Sequence, residues 1–227
     1  MADKPELQHI PRAVGELVLS GARSSLIARA RRDAANLMER NPFGEAPSQT
    51  VAWLNSAFPD QSNAETQFNI GEAYYYSQDY EQAASWYGKA AGQGHSKAQL
   101  SLAVLYEKGQ GVEQDHSMAT QWLQKAADQG HAIAQLGVGV AYVGGSGVQK
   151  DLVKATEWFH EASLQGLAKA QFLLGYAYEL GRGVSQDIVK ASEWYRMAAE
   201  QGETEAQTRL GLLDRRSRGV RQSDSDA

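Results

Sequence analysis

The chain has 227 residues, 42% of them hydrophobic, and its 22 basic and 27 acidic side chains leave a net charge of −5. That balance argues against a nucleic-acid face, which needs clustered cations to neutralise phosphates. With no cysteine in the sequence, disulfides and thiolate metal sites are excluded. No apolar run approaches the roughly 18 residues of a membrane span. Asp3, Glu6 and Glu16 make the opening a poor signal peptide, so the chain is expected to start near Met1 and to be cytoplasmic.

Residues 1–62 are expected to form an N-terminal helical cap or arm. Pro11 and Gly44/Pro47 bracket a helix-like stretch, roughly Arg12–Arg40, with Val14, Leu17, Leu26, Ile27 and Leu37 among its apolar residues. Gly21, Ser24 and Ser25 divide it. A shorter helix comes next, with Ser48 as its cap and Val51, Trp53, Leu54 and Phe58 as its apolar residues. Residues 1–60 hold seven basic and seven acidic side chains, so Arg23, Arg29, Arg31 and Arg32 do not make a nucleic-acid site. Three roles stay open: a cap shielding the first of a series of stacked repeats, which such arrays require, an arm for a homodimer or partner, and a segment that folds back into a groove of its own chain.

From residue 63 the sequence repeats itself. Ala98-Gln99, Ala134-Gln135, Ala170-Gln171 and Ala206-Gln207 recur every 36 residues, as do Trp86, Trp122, Trp158 and Trp194. The units run 66–97, 98–133, 134–169 and 170–205, with a partial fifth over 206–220 and a tail at 221–227. The first unit has 32 residues; its missing four fall where the others carry GQGV, GSGV and GRGV, a loop deletion that keeps both helices.

Each unit reads as two helices. Gly71, Gly139, Gly175 and Gly211, with Ala103 in the same place, sit inside the first helix. Glycine there costs about 1 kcal/mol against alanine, which close approach of a neighbouring helix would repay. The Gly-x-Gly-Val segments are connectors, with Val112, Val148 and Val184 closing the gap between the pair. Asp79, Asp115, Asp151 and Asp187 stand at the N-cap position of the second helix. That helix is expected to bury its alanines and all four tryptophans on one stripe, and Gly94, Gly130, Gly166 and Gly202 stop it.

The pattern A-Q-x-x-L-(G/A)-x-x-Y-x-x-G-x-G-V-x-x-D-x-x-K-A-x-x-W-(Y/F)-x-x-A-A-x-x-G resembles the Sel1-like repeat family, relatives of the tetratricopeptide repeat, over roughly residues 63–220. The resemblance implies an all-α fold, a right-handed α/α superhelical solenoid of helix pairs that mediates protein–protein contacts.

Other chemistry is weakly supported. The glycine connectors come after a helix rather than a strand and carry no Lys-Ser/Thr, so they are turns and not phosphate cradles. His95 and His131 recur just after a terminating glycine and are expected to be exposed loop residues; no helix carries a zinc-type histidine pair. No nucleophile stands at a meaningful distance from a base. The chain is therefore expected to be no enzyme, with no metal and no cofactor.

In tetratricopeptide-type arrays the first helices line the concave side. Here the positions two, six and nine after the opening residue of each unit are Phe68, Glu72 and Tyr75; Leu100, Val104 and Glu107; Leu136, Val140 and Val143; Phe172, Tyr176 and Glu179; then Thr208, Leu212 and Arg215. They form either an exposed apolar groove for an amphipathic helix or peptide, or a lining buried by its own curvature. The expected function is a bacterial-type adaptor. The alternative is an immunity protein that caps a toxin. A hydrolase, as suggested for cysteine-rich relatives, is a third class for which the cysteines are missing. The expected partner is a protein, not nucleic acid or a membrane, with a homodimer through the N-terminal arm as a further possibility.

Overall fold

The computed structural model describes residues 61–225, and all its regular structure is helical. The segment read as a cap or arm falls almost wholly outside the described residues. Among the described residues nine helices run in order: α1 Ala64–Tyr76, α2 Tyr80–Gly92, α3 Ser96–Lys108, α4 His116–Asp128, α5 Ala132–Gly144, α6 Leu152–Leu164, α7 Ala168–Leu180, α8 Ile188–Glu200 and α9 Thr204–Ser225. The all-α fold of consecutive packed helix pairs is the one the sequence implied. The chain divides into two compact units, residues 1–149 with α1–α5 and residues 150–227 with α6–α9.

The helix boundaries are set by the residues that the repeat places there. The carboxylates of Asp79, Asp115, Asp151 and Asp187 accept from the backbone N–H groups of Gln82, Met118, Lys154 and Lys190 at 3.2, 2.9, 3.1 and 3.0 Å. These bonds satisfy donors that a helix N-terminus leaves open. First helices end where Gly109, Gly145 and Gly181 take the left-handed conformation. The shortened first unit shows its deletion as a connector of residues 77–79 only, in which Gln78 takes a φ of 65°. At the far end, Ser217 occupies the place of those three glycines. Without a left-handed stop, α9 runs on helically to Ser225.

The connectors are laid tightly on the preceding pair. A Cβ at Gly183 would lie 2.0 Å from the Leu152 carbonyl oxygen, and one at Gly111 2.1 Å from the Tyr80 carbonyl carbon. Thr156 Oγ1 locks the first of these seams by donating to the Arg182 carbonyl at 3.1 Å. Val112 packs on the core of the N-terminal unit, as expected.

The paired helices approach closely at the in-helix glycines, as the sequence implied. Ring carbons of Tyr87 and Tyr195 come within 2.5 and 2.8 Å of where a Cβ on Gly71 and Gly175 would stand. Tyr87, Leu123, Phe159 and Tyr195, each one residue after a tryptophan, are the large buried side chains of the second helices, beside their buried alanines. Trp86, Trp122, Trp158 and Trp194 themselves are only half-buried. One residue along a helix is a turn of about 100°, enough to move the indole from the seam to its margin.

The repeated Ala-Gln has its own role. Gln99, Gln171 and Gln207 each donate through Nε2 to a carbonyl of the preceding second helix, those of Ala91, Ser163 and Ala199, at 3.1, 3.4 and 3.2 Å. Gln99 and Gln171 in turn accept from Gln129 and Gln201, both at 2.8 Å. One buried amide thus ties three successive helices, which fixes the stacking register.

Candidate functional site

Most of the expected apolar positions on the first-helix face of the N-terminal unit are closed to solvent. Phe68, Leu100, Val104, Leu136 and Val140 are buried, so these positions form the self-buried lining and not the open apolar groove. Phe68 stacks on Tyr87 and on His95, with ring centroids 5.8 and 4.7 Å away. His95 is no exposed loop residue. It is half-buried and its Nδ1 accepts from the Ala98 N–H at 3.1 Å, capping α3, while Nε2 reaches Glu65 at 2.9 Å. His131 holds the same place at the start of α5, and burial, aided by Lys97, lowers its pKa.

The carboxylates of this face are also engaged. Glu72 accepts from the Tyr87 phenol. Burial raises the pKa of the carboxyl, and burial with the Glu72 charge raises that of the phenol. Glu107 lies 2.9 Å from His116 Nδ1. Of the expected site residues in this unit, Tyr75 and Val143 join the two carboxylates in keeping partial exposure. The Tyr75 ring sits edge-on to Tyr76 and Tyr80.

The C-terminal unit builds a different face on α7 and α9. Phe172 is buried, stacks on Tyr176 with ring centroids 6.2 Å apart, and meets Tyr195 at a tilt, 5.7 Å away. Glu179 is buried between two donors: Tyr195 Oη to Oε2 at 2.6 Å and Arg209 Nη1 to Oε1 at 3.3 Å. Burial first, and then Glu179, raises the Tyr195 pKa far beyond the phenol range. Tyr176 remains half-buried, with the guanidinium of Arg209 at 4.8 Å from its ring centroid and that of Arg182 at 6.0 Å. Lys169 Nζ lies 4.8 Å over Phe172 and bridges Glu203, at 3.6 Å, and Glu205. Arg215 and Thr208 are exposed, as is Leu212 at 48%.

Lys169, Arg182 and Arg209 were not among the residues expected from the sequence. The signal was present in the repeat register: Arg209 stands where the complete units carry Asn69, Ser101, Gly137 and Leu173, and Arg182 where they carry Gln110 and Ser146. A charge at a position that is otherwise uncharged marks a departure from the common packing plan. Arg182 has no carboxylate partner among the described residues. Chemically, this face offers a half-open aromatic ring flanked by two cations, a combination that takes a carboxylate beside an apolar or aromatic group.

Among the described residues no group of three or more His, Cys, Asp or Glu is placed to hold a metal ion, and no helix is long and apolar enough to cross a membrane. The sequence model of the Sel1 repeat matches residues 64–95, 96–131, 132–167 and 168–203, each match spanning one helix pair. A protective antigen present in uropathogenic Escherichia coli strains, which displays an SLR fold, is 36% identical with a TM-score of 0.69. The match covers 73% of this chain and 36% of that one, so the chain spans about a third of that protein. A Sel1 repeat protein from Oxalobacter formigenes is 41% identical with a TM-score of 0.52, covering 55% of this chain and 94% of that one. A search of curated proteins gives no match.

Proposed function

Because this chain belongs to the Sel1 repeat family, whose members generally mediate protein–protein contacts, we propose that it is a non-catalytic scaffold that holds a helix or peptide segment of a partner on its first-helix face, anchored in the C-terminal unit. The observation that carries this is Tyr176, half-buried between the guanidinium groups of Arg182 and Arg209. Buried Phe172 below and the Glu179–Tyr195–Arg209 bonds beside it hold the ring and one cation in place before any ligand arrives. Preorganisation of this kind lowers the entropy lost on binding. The partner segment that fits carries an acidic side chain beside an aromatic or apolar one.

The role fits a cytoplasmic adaptor of bacterial type. The test is capture of partners from the native host by the wild-type chain and by Tyr176→Ala/Arg182→Glu, identified by mass spectrometry and completed by calorimetry with the recovered partner. Phe172 is left intact, because removing a buried phenylalanine would cost about 3–5 kcal/mol of stability. The double variant is expected to keep its melting temperature and to lose affinity about a hundredfold, the size found for truncation of central aromatic and arginine contacts. Undiminished affinity would remove this face from the mechanism. Several partners of one pathway mark an adaptor, and a single toxin recovered one-to-one marks an immunity protein.

A further inference from the structure

Among the described residues, the face of α9 that a second helix covers on the first helices of the first and fourth repeats is open. In the first and fourth repeats the glycine within the first helix is covered by an aromatic ring, Tyr87 on Gly71 and Tyr195 on Gly175. Gly211 is the same position one repeat further on, and nothing lies within 4 Å of where its Cβ would be. Gln207 points the same way. It donates to Ala199 as its counterparts do to their preceding helices. Among the described residues no glutamine donates to its carbonyl, as Gln129 and Gln201 do to Gln99 and Gln171. Next to it Leu212 is 48% exposed. On its other side α9 packs as a first helix should, with Ala206 fully buried. One face is therefore complete and the opposite one is shaped for a second helix.

The chain carries a segment that matches that vacancy. Trp53-Leu54-Asn55-Ser56-Ala57-Phe58 repeats the second-helix signature Trp122-Leu123-Gln124-Lys125-Ala126-Ala127. It puts Leu54 in register with Leu123 and Phe159 and with Tyr87 and Tyr195, whose rings cover Gly71 and Gly175. The segment lies just ahead of α1 in sequence, where the second helix of a preceding repeat would stand. The charges agree as well: residues 41–62 hold Glu45 and Asp60 and no base, whereas residues 205–221 hold five arginines against Glu205 and Asp214.

We propose that copies of this chain associate head to tail, the segment 48–58 of one copy docking on α9 of the next with Leu54 over Gly211, so that the contact completes a repeat. Each copy contributes one surface of each kind, which makes the contact heterologous and able to propagate. It uses neither Tyr176 nor Arg182, so it stands or falls separately from partner capture.

Sedimentation velocity of the full chain over a wide concentration range is the test. The wild type is expected to grow with concentration through dimers to longer assemblies. Gly211→Arg places a side chain in open space in its own copy and in the docking slot of the pair. It is expected to leave the melting temperature unchanged and to raise the midpoint concentration for association about thirtyfold or more, the size of effect seen at the centre of interfaces. Leu54→Arg is expected to do the same from the other side. Because each variant keeps one good surface, mixing the two restores dimers and nothing larger. Should Leu54→Arg fail to fold by circular dichroism, Gly211→Arg still decides the matter: with its own segment 48–58 intact, it must terminate wild-type assemblies when added in excess. A wild type that stays monomeric at every concentration overturns the proposal. So does a Gly211→Arg variant that associates normally, and so does a mixture of two folded variants that forms no dimer.

Discussion

The two compact units are built on one repeat pattern and spend their side chains differently. In the N-terminal unit Lys89 and Lys125 lie over the outer tryptophans, 3.7 Å from the ring centroid of Trp86 and 3.8 Å from that of Trp122. In the C-terminal unit those lysines are replaced by Glu161 and Met197. The cations there gather instead on the rings of the first-helix face, Lys169 on Phe172 and Arg182 and Arg209 on Tyr176. Every exposed large hydrophobic residue among those described also lies in the C-terminal unit, with Val189 at 70% and Leu164 at 64% the most open. At the start of the second helices, Glu81 and Ser117 give way to Val153 and Val189. The N-terminal unit has a finished surface, while the C-terminal one keeps apolar and cationic groups in reach of solvent, as a binding surface does.

The largest effect is expected where the units are alike. Gly183→Val meets two penalties: a φ of 74° and a Cβ placed against the Leu152 carbonyl. Backbone strain and overpacking each cost about 1–3 kcal/mol, so urea unfolding should show a loss of about 3 kcal/mol or more. Gly166 has a φ of 82° but faces open space, so Gly166→Ala should lose only about 1 kcal/mol. Equal losses would mean that conformation alone, and not the laid-on connector, is what the glycine serves. The same contrast is expected of Gly111 in the N-terminal unit, because its connector meets Tyr80 in the same way.

The glycines also mark the boundary of what spacing could reveal. The period, the N-cap aspartates and the left-handed glycines are local features, set by backbone geometry within a few residues, and they were legible from spacing alone. The apolar stripe on the first helices was legible too, but its exposure was not. Phe68 and Phe172 are closed by rings from residues 19–27 positions away in sequence, and spacing does not report such contacts. The tryptophans misled for a related reason: their strict period marked a repeated slot, and the neighbouring residue holds the deeper one. The burial of the site carboxylates was not legible either, because nothing local pairs Glu72 with Tyr87 or Glu179 with Tyr195.

Those two pairs give the next test. Tyr87 and Tyr195 hold equivalent positions, but their carboxylates come from different turns of the first helix, and Glu179 is more deeply buried than Glu72. Tyr195→Phe leaves Glu179 Oε2 without its donor while Arg209 still holds Oε1. An orphaned buried acceptor costs about 1–3 kcal/mol, and chemical denaturation should show a loss in that range. Tyr87→Phe leaves Glu72 within reach of water, so its loss should be smaller, about 1 kcal/mol or less. A larger loss for Tyr87→Phe than for Tyr195→Phe would contradict the idea that the C-terminal unit keeps its binding face rigid through the Glu179 network.

The smallest effect sharpens the comparison from the outer side. Lys89 and Lys125 each stand three residues after the tryptophan they cover, and Met197 stands three residues after Trp194. Met197→Lys therefore transplants the finished N-terminal arrangement into the C-terminal unit, at a side chain already exposed to solvent. An exposed cation–π contact is worth about 0.5–1 kcal/mol, which would appear as a slightly raised unfolding midpoint with an unchanged slope. If methionine holds its place only as one more exposed apolar residue of no consequence, the variant gains this stability and keeps its partners. If the outer apolar surface contributes to recognition, the same gain comes with weaker capture, because the new ammonium must be desolvated where a thioether was not. Stability and binding then move in opposite directions, the signature of a surface left unfinished for the sake of contact.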